Sequence, residues 1–376
     1  MRKLLISVAL LALFAAIGSY ALWTTQRPAD LYLSDLRIQV AVNEGSPSGK
    51  GNLLGIQPEL YPADYQSLYR LHRKLAAYLQ EARKLGLLNT RTIVVLPEHI
   101  GTWLWARGEK NELYQAAHED EAVQWLAASN PLRFARAWLA AAGEERLKDT
   151  QLRMKAKAMA SDYQALFGGL AKEFGVTLVA GSIVLPDPRV EAGRLHIGQG
   201  PLYNASLVFA SDGQPLGQPQ RQLYPAFETR GYIQPSADRV LHVLDTPAGR
   251  LGILIGSDSW YPANYAQLNT QAAQLIAVPA SITGKGHWNT PWRGYRGLIS
   301  PGEASLKPSE VSEGEAWHRL NLAGQAPAST SIAGISVFLR GQFWDQFSDG
   351  LSFTSHGGTT STTNAGRGAR LINLWL

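Results

Sequence analysis

The chain of 376 residues contains no cysteine. That excludes disulfides, thiolate metal ligands, lipid attachment through a terminal cysteine and any thiol nucleophile. An exported protein is at ease without thiols, because none can be mispaired in an oxidising compartment. Charge is sparse too, at 17% of residues. The net +5 comes from scattered Lys and Arg with no basic run and no basic–aromatic interleaving, which argues against a nucleic-acid face. The eight histidines show no ligand spacing, and His99 beside Glu98 has no H-E-x-x-H context, so neither a metal nor a cofactor is expected. Gly49-Lys50-Gly51 lacks the spacing of a phosphate loop, no G-x-S-x-G elbow occurs, and there are no internal repeats.

What is present begins with a long apolar run. Arg2 and Lys3 precede an unbroken apolar stretch from Leu4 to Trp23, long enough to cross a bilayer as a helix. Two readings stay open for residues 1–23: an uncleaved anchor, or a signal peptide cut after Ser19-Tyr20-Ala21. Continuation of the run through Leu22 and Trp23 favours the anchor. Positive charge on the short side predicts a single-pass protein of a bacterial inner membrane with its body in the periplasm, or a periplasmic protein if the signal is cut.

Residues 24–36 read as a polar linker and 37–376 as one α/β domain. Arg37 to Val42 alternates as a first strand, and 43–60, rich in Gly, Ser and Pro, is expected to be a loop. Pro62 opens a helix with Leu68, Leu71, Leu75, Tyr78 and Leu79 on one face, and Thr92-Ile-Val-Val95 is a buried strand leading to Pro97 and Glu98. Residues from about 107 to 160 read as a helical insertion. In it Trp125, Phe134 and Trp138 beside Arg133 and Arg136 either pack on the domain or rest on a membrane surface. Further strands are expected at 175–184, 203–210, 240–244, 251–255, 274–280, 332–339 and 371–376, with a long loop at 283–315.

The decisive stretch is Gly252-Ile-Leu-Ile-Gly256-Ser-Asp258-Ser-Trp-Tyr261-Pro262, a buried strand ending in a polar turn. It resembles the nitrilase, or carbon–nitrogen hydrolase, superfamily, whose strand reads roughly G-x-x-I-C-x-D-x-x-F-P. Leu96-Pro97-Glu98, Tyr203-Asn-Ala-Ser206, Gly249-Arg-Leu-Gly252 and Gly350-Leu-Ser352 fall in that family's order from Arg37 to about Thr354. The resemblance implies a four-layer αββα sandwich that pairs into homodimers across a helix face. It also implies C–N bond chemistry by a glutamate base, a lysine and a cysteine nucleophile.

Carried over residue by residue, Glu98 is the glutamate, Gln220 stands in the lysine position of K-x-x-L-x-P-x-x-E, and Gly256 stands in the cysteine position. Ser257 is an alternative nucleophile, but neighbours on a strand face opposite ways and a hydroxyl needs a stronger base than a thiol. Trp103, Glu228 and Tyr261 are candidate ligand contacts. The expected function is a membrane-anchored module that binds a small amide, acyl or amine ligand, or a protein partner, without cleaving it. The alternative is a divergent amidase or acyltransferase with Glu98 as base and Ser257 as nucleophile, which leaves the question of enzyme or pseudoenzyme to the site itself.

Overall fold

The computed structural model describes residues 1–27, 32–295 and 306–376, without the side chains of 326–328. Two sheets form its middle. The first runs in the order Ile38–Glu44, Ala369–Trp375, Asn52–Gln57, Thr92–Val95, Thr177–Val179, Leu202–Phe209 and Pro215–Arg221, with Ile183–Pro186 also on Leu202–Phe209. The second runs Val243–Thr246, Gly249–Ile253, Leu275–Ala280, Ala333–Phe338, Phe353–His356 and Thr359–Thr362. Both have a parallel centre; the second is antiparallel towards its edges, whereas the first is antiparallel beyond Thr177–Val179 and, on the other side, pairs Ala369–Trp375 antiparallel to Asn52–Gln57 and parallel to the edge strand Ile38–Glu44.

Strand period dictates the layering. Ile93 and Val95 face the space between the sheets with Ile253, Leu275, Ala277, Ile335 and Ile372. Their neighbours Val94, Leu54, Leu178 and Leu207 point to the other side of the first sheet, into a core shared with the helices Leu68–Lys84, Arg146–Tyr163 and Gly169–Phe174. On the second sheet Leu254, Ile276 and Val278 likewise point outward, under Pro262–Thr270 and Glu313–Leu320. Alternation of apolar residues on both faces thus produces an αββα sandwich. Each such buried aliphatic side chain contributes roughly 1.5–3 kcal/mol.

Residues 43–60 correct one expectation. They hold a fully buried strand, Asn52–Gln57, at the centre of the first sheet. Its Gly55 reads as loop in isolation, yet a β-carbon there would lie 2.8 Å from both Ile335 and Val337 of the facing sheet. Close approach of the sheets, rather than flexibility, demands that glycine. The expected loop 283–315 is also broken up: a short turn His287–Asn289 precedes helix Glu313–Leu320, and 296–305 lies outside the described residues.

The stretch from about 107 to 160 forms helices Asn111–Gln115, Glu119–Ser129, Pro131–Ala140 and the start of Arg146–Tyr163. The N-terminal helix Arg2–Thr25 has no buried residue and is apolar enough to cross a membrane or to serve as a signal. Its last turns rest on the helical stretch. Tyr20 donates to the Ala128 carbonyl, Trp23 lies 6.4 Å from Trp125, and Lys110 donates to the carbonyls of Trp23 and Gln26.

Candidate active site

Three parallel strands end at one point. Thr92–Val95 leads to Glu98, Gly249–Ile253 leads to Gly256, and Leu275–Ala280 leads to Ser281. The carboxyl ends of parallel strands are where α/β folds place ligands, because the strands fix the side chains and the loops leave room above them. Here the two sheets bring their strand ends together over a cavity of about 100 Å³ lined by Glu98, Gln222, Gly256, Ser257, Ser281 and Trp260 among others. That is several times the ~15 Å³ one water needs.

Glu98 is its centre. The side chain is buried, and its Oε1 accepts from Asn204 Nδ2 at 2.9 Å and Gln222 Nε2 at 3.3 Å while Oε2 accepts from Ser281 Oγ at 2.9 Å. Burial drives the carboxyl up to about 7, and those three donors hold it from rising further. His99 beside it is held near 4 by burial and is neutral at pH 7, so its Nε2, 3.8 Å from Glu98 Oε1, brings no compensating charge.

Gly256 opens the short turn Gly256–Trp260 with a φ of +51°. In α/β hydrolases a strained turn from strand to helix lifts a nucleophile into reach of its base. Here the residue that opens such a turn is a glycine, with no side chain to present. A β-carbon at 256 would meet Glu98 Oε2 at 2.8 Å, Oε1 at 3.0 Å and Cδ at 3.1 Å, so the carboxyl fills the space a reactive side chain would need.

Ser257 lines the cavity, but its hydroxyl donates to the Tyr224 carbonyl rather than to Glu98. Asp258, next along, is fully buried and accepts from the backbone N–H groups of Leu223 and Tyr224 at 2.7–3.1 Å. Burial pushes it up to about 8, with the Glu98 charge adding to the rise. Its work is to pin the loop after Gln222 against the turn after Gly256.

Gln220 does not reach Glu98. Its amide bridges the carbonyls of Arg221 and Val240 and the N–H of His242, joining the two sheets at their edge. The residue that faces Glu98 is Gln222, two positions on, which also donates to the Ile255 carbonyl at 3.0 Å. Arg221 turns away to Asp187 at 2.7 Å, so no cation from this segment approaches the carboxyl. Of the expected ligand contacts, Glu228 lines the cavity. Trp103 instead stacks on Phe343 at 4.2 Å beside a neighbouring cavity, and Tyr261 stacks on Tyr224 at 3.6 Å. Asn204, Gln222 and Ser281 were not singled out as site residues by the sequence, although Asn204 sits inside a quoted family marker and Gln222 shares a strand face with Gln220.

The carbon–nitrogen hydrolase family model matches residues 56–296, more than half of the chain. The chain belongs to the carbon–nitrogen hydrolase family. A curated relative, the deaminated glutathione amidase of Yersinia enterocolitica, is 29% identical over 130 residues; the match covers 32% of this chain and 42% of the relative. The chain thus spans about two fifths of that relative's length. Among solved structures, the amidase from Nesterenkonia sp. AN1 is similar in fold. A double mutant of it in complex with acrylamide gives a TM-score of 0.52 at 13% identity, covering 88% of this chain and 93% of the amidase. A single mutant of the same nitrilase-superfamily amidase gives 0.52 at 14%, covering 89% and 92%.

Proposed function

We propose that this carbon–nitrogen hydrolase family member holds a small carboxamide or acyl ligand against Glu98 and Gly256 without cleaving it. The observation that carries the reading is the Gly256–Glu98 approach: the position where the family has its thiol carries no side chain, and a β-carbon there would need the Glu98 carboxyl to shift. Near pH 7 a buried carboxyl titrating at about 7 is partly protonated, so it offers both a donor and an acceptor to a neutral amide. The related amidase was solved with acrylamide, which makes a carboxamide the first ligand class to try. The rival reading, an amidase using Ser257, requires that hydroxyl to release the Tyr224 carbonyl and turn to Glu98.

We further propose that the protein is a single-pass membrane protein with its body on the exported side. A 24-residue helix spans about 36 Å, enough for a hydrocarbon core of about 30 Å, and Arg2 and Lys3 mark the cytoplasmic end. Helix Pro131–Ala140 follows directly on the segment that holds Tyr20 and exposes Leu132 at 85% and Leu139 at 82%, beside Arg133 and Arg136. An apolar face flanked by cations at the exit of a span suits an anionic lipid surface.

The test uses the full-length protein in detergent. Calorimetric titration with acrylamide and acetamide is expected to show binding, and ammonia release from the same amides is expected to be absent. Turnover by the wild type that disappears in both Glu98→Gln and Ser257→Ala would overturn the binding-only reading.

A further inference from the structure

The cavity around Glu98 has a cationic wall that the binding reading leaves unused. Arg293 and His287 both line it. Among the described lining residues Arg293 is the one lysine or arginine, and it makes no ion pair with any described carboxylate. Its partner is His287, whose Nδ1 lies 3.0 Å from Arg293 Nη2. A guanidinium only donates, so His287 Nδ1 is the acceptor and a neutral ring carries its N–H on Nε2. The pair therefore offers donors and one positive charge, and most of the guanidinium N–H groups stay unclaimed.

The arginine is held at both flanks. It stands between the buried Trp292 and Tyr295, whose rings pack edge to face at 5.4 Å. Both rings also meet Trp260, at 6.3 and 6.0 Å, and Trp260 closes the turn that Gly256 opens. The Trp292 N–H donates to the Val311 carbonyl at 2.8 Å, and its carbonyl accepts from the Ser309 N–H at 2.8 Å. His287 is packed against the backbone of Gly284, where a β-carbon would meet its Nδ1 at 2.2 Å. Buried aromatic anchors and a close backbone contact thus fix the arginine and its partner relative to the Gly256 turn.

We infer that Arg293, with His287 behind it, receives the carboxylate of an elongated ligand whose carboxamide lies at Glu98 and Gly256. This inference rests on the proposed binding reading and adds the class of ligand: the monoamide of a dicarboxylic acid. A guanidinium fork meets both oxygens of a carboxylate, and a partly enclosed site strengthens that pair beyond its worth in open water. Glu228 and Glu313 line the same cavity, but each has a partner and neither pairs with Arg293. Glu98, ringed by the Asn204 and Gln222 amides and the Ser281 hydroxyl, suits the uncharged end. An ammonium in place of the carboxylate would meet the charge of Arg293 instead.

The experiment titrates the full-length protein in detergent with the monoamides of malonic, succinic, glutaric and adipic acid, with the methyl esters of those monoamides, and with the simple alkanoates. The best monoamide is expected to bind at least ~10-fold tighter than its methyl ester, a gap of about 1.4 kcal/mol that narrows as salt rises. Arg293→Gln is expected to bring the monoamide down to the affinity of its ester. Arg293→Lys is expected to keep part of the gap, since an ammonium retains the charge without the fork. Arg293 is exposed, so neither variant disturbs the core, and the wild-type comparison decides in any case. Equal affinities for acid and ester would overturn the carboxylate site and spare the carboxamide reading. A gap that survives unchanged in Arg293→Gln would overturn the assignment to Arg293. Alkanoates that bind as tightly as the monoamides, and lose that binding in Arg293→Gln, would keep the arginine site and sink the carboxamide reading. Silence from every probe would overturn both.

Discussion

A β-carbon on Gly256 would stand 2.8 Å from Oε2 of Glu98, a carboxyl anchored by Asn204, Gln222 and Ser281. Glycine and glutamate have settled into each other's space. Restoring the family's thiol is therefore a steric problem before it is a chemical one. Gly256→Cys is expected to destabilise the protein by about 1–3 kcal/mol, through overpacking and a side chain placed at positive φ. It is also expected to gain no amidase turnover, alone or with Gln220→Lys, since Gln220 is engaged at the sheet edge. Thermal melts and an ammonia-release assay check both parts. Robust turnover would show that Glu98 yields its position easily.

The raised carboxyl predicts a pH signature. Folded Glu98 titrates at about 7 against 4.5 for an exposed glutamate, so between those values the folded state holds a proton that the unfolded state releases. Stability therefore falls as pH rises from about 4.5 to 7, by up to about 3 kcal/mol, and does not return above 7. Asp258, raised to about 8, acts in the same direction. Denaturant unfolding at pH 5 and pH 8 is expected to show a smaller difference in Glu98→Gln than in wild type. Identical differences would mean that Glu98 titrates normally.

Asp258 predicts a structural loss without a chemical one. Asp258→Ala strands the buried N–H groups of Leu223 and Tyr224 and is expected to cost about 2–4 kcal/mol. Asp258→Asn, which keeps an acceptor, is expected to cost less. Urea unfolding of the two variants measures the gap, and a mild alanine variant would count against the pinning role.

Ser257→Ala separates the two readings of the site. Its hydroxyl is expected to contribute about 1 kcal/mol through the Tyr224 carbonyl and nothing to ligand affinity. Calorimetry with acrylamide is the check, and a tenfold loss of affinity would place Ser257 among the ligand contacts.

The proposed membrane contact of helix Pro131–Ala140 can be tested with a single label, because the chain offers no competing thiol. Leu139→Cys, carrying an environment-sensitive dye, is expected to shift its emission to the blue in vesicles containing anionic lipid and not in detergent-free buffer. Emission that stays water-like in both would separate this helix from the bilayer.

Much of the fold was legible because it rests on local periodicity. Thr92–Val95, Leu275–Ala280 and Ala333–Phe338 are short, largely apolar runs bounded by turn residues, the pattern of a strand buried on both faces. Asn52–Gln57 was not legible. Its polar ends Asn52 and Gln57 find partners across the fold, Asn373 and the carbonyls of Phe338 and Gly350, which no local pattern announces. Glu98 and Gly256 could be placed by motif, being fixed by the strands before them. Gln222 was hidden because motif alignment pointed to Gln220; pairing runs regularly from Gln220 opposite Ser206 to Gln222 beside Asn204, so both lie on one face and it is the residue level with Asn204 that meets Glu98. Asp258 matched the motif, but its task depends on a loop brought from 34–35 residues away.

The junction between the N-terminal helix and the body is gripped on both sides. Tyr20 holds the Ala128 carbonyl, and Lys110 reaches back to Trp23 and Gln26. These contacts tie the C-terminal end of the helix to the body. Tyr20 reaches the last turns of helix Glu119–Ser129, and Glu119 at the head of that helix lines a cavity beside the site. Were the N-terminal helix to span a bilayer as proposed, these contacts would link a neighbour leaning on it there to a cavity outside the lipid.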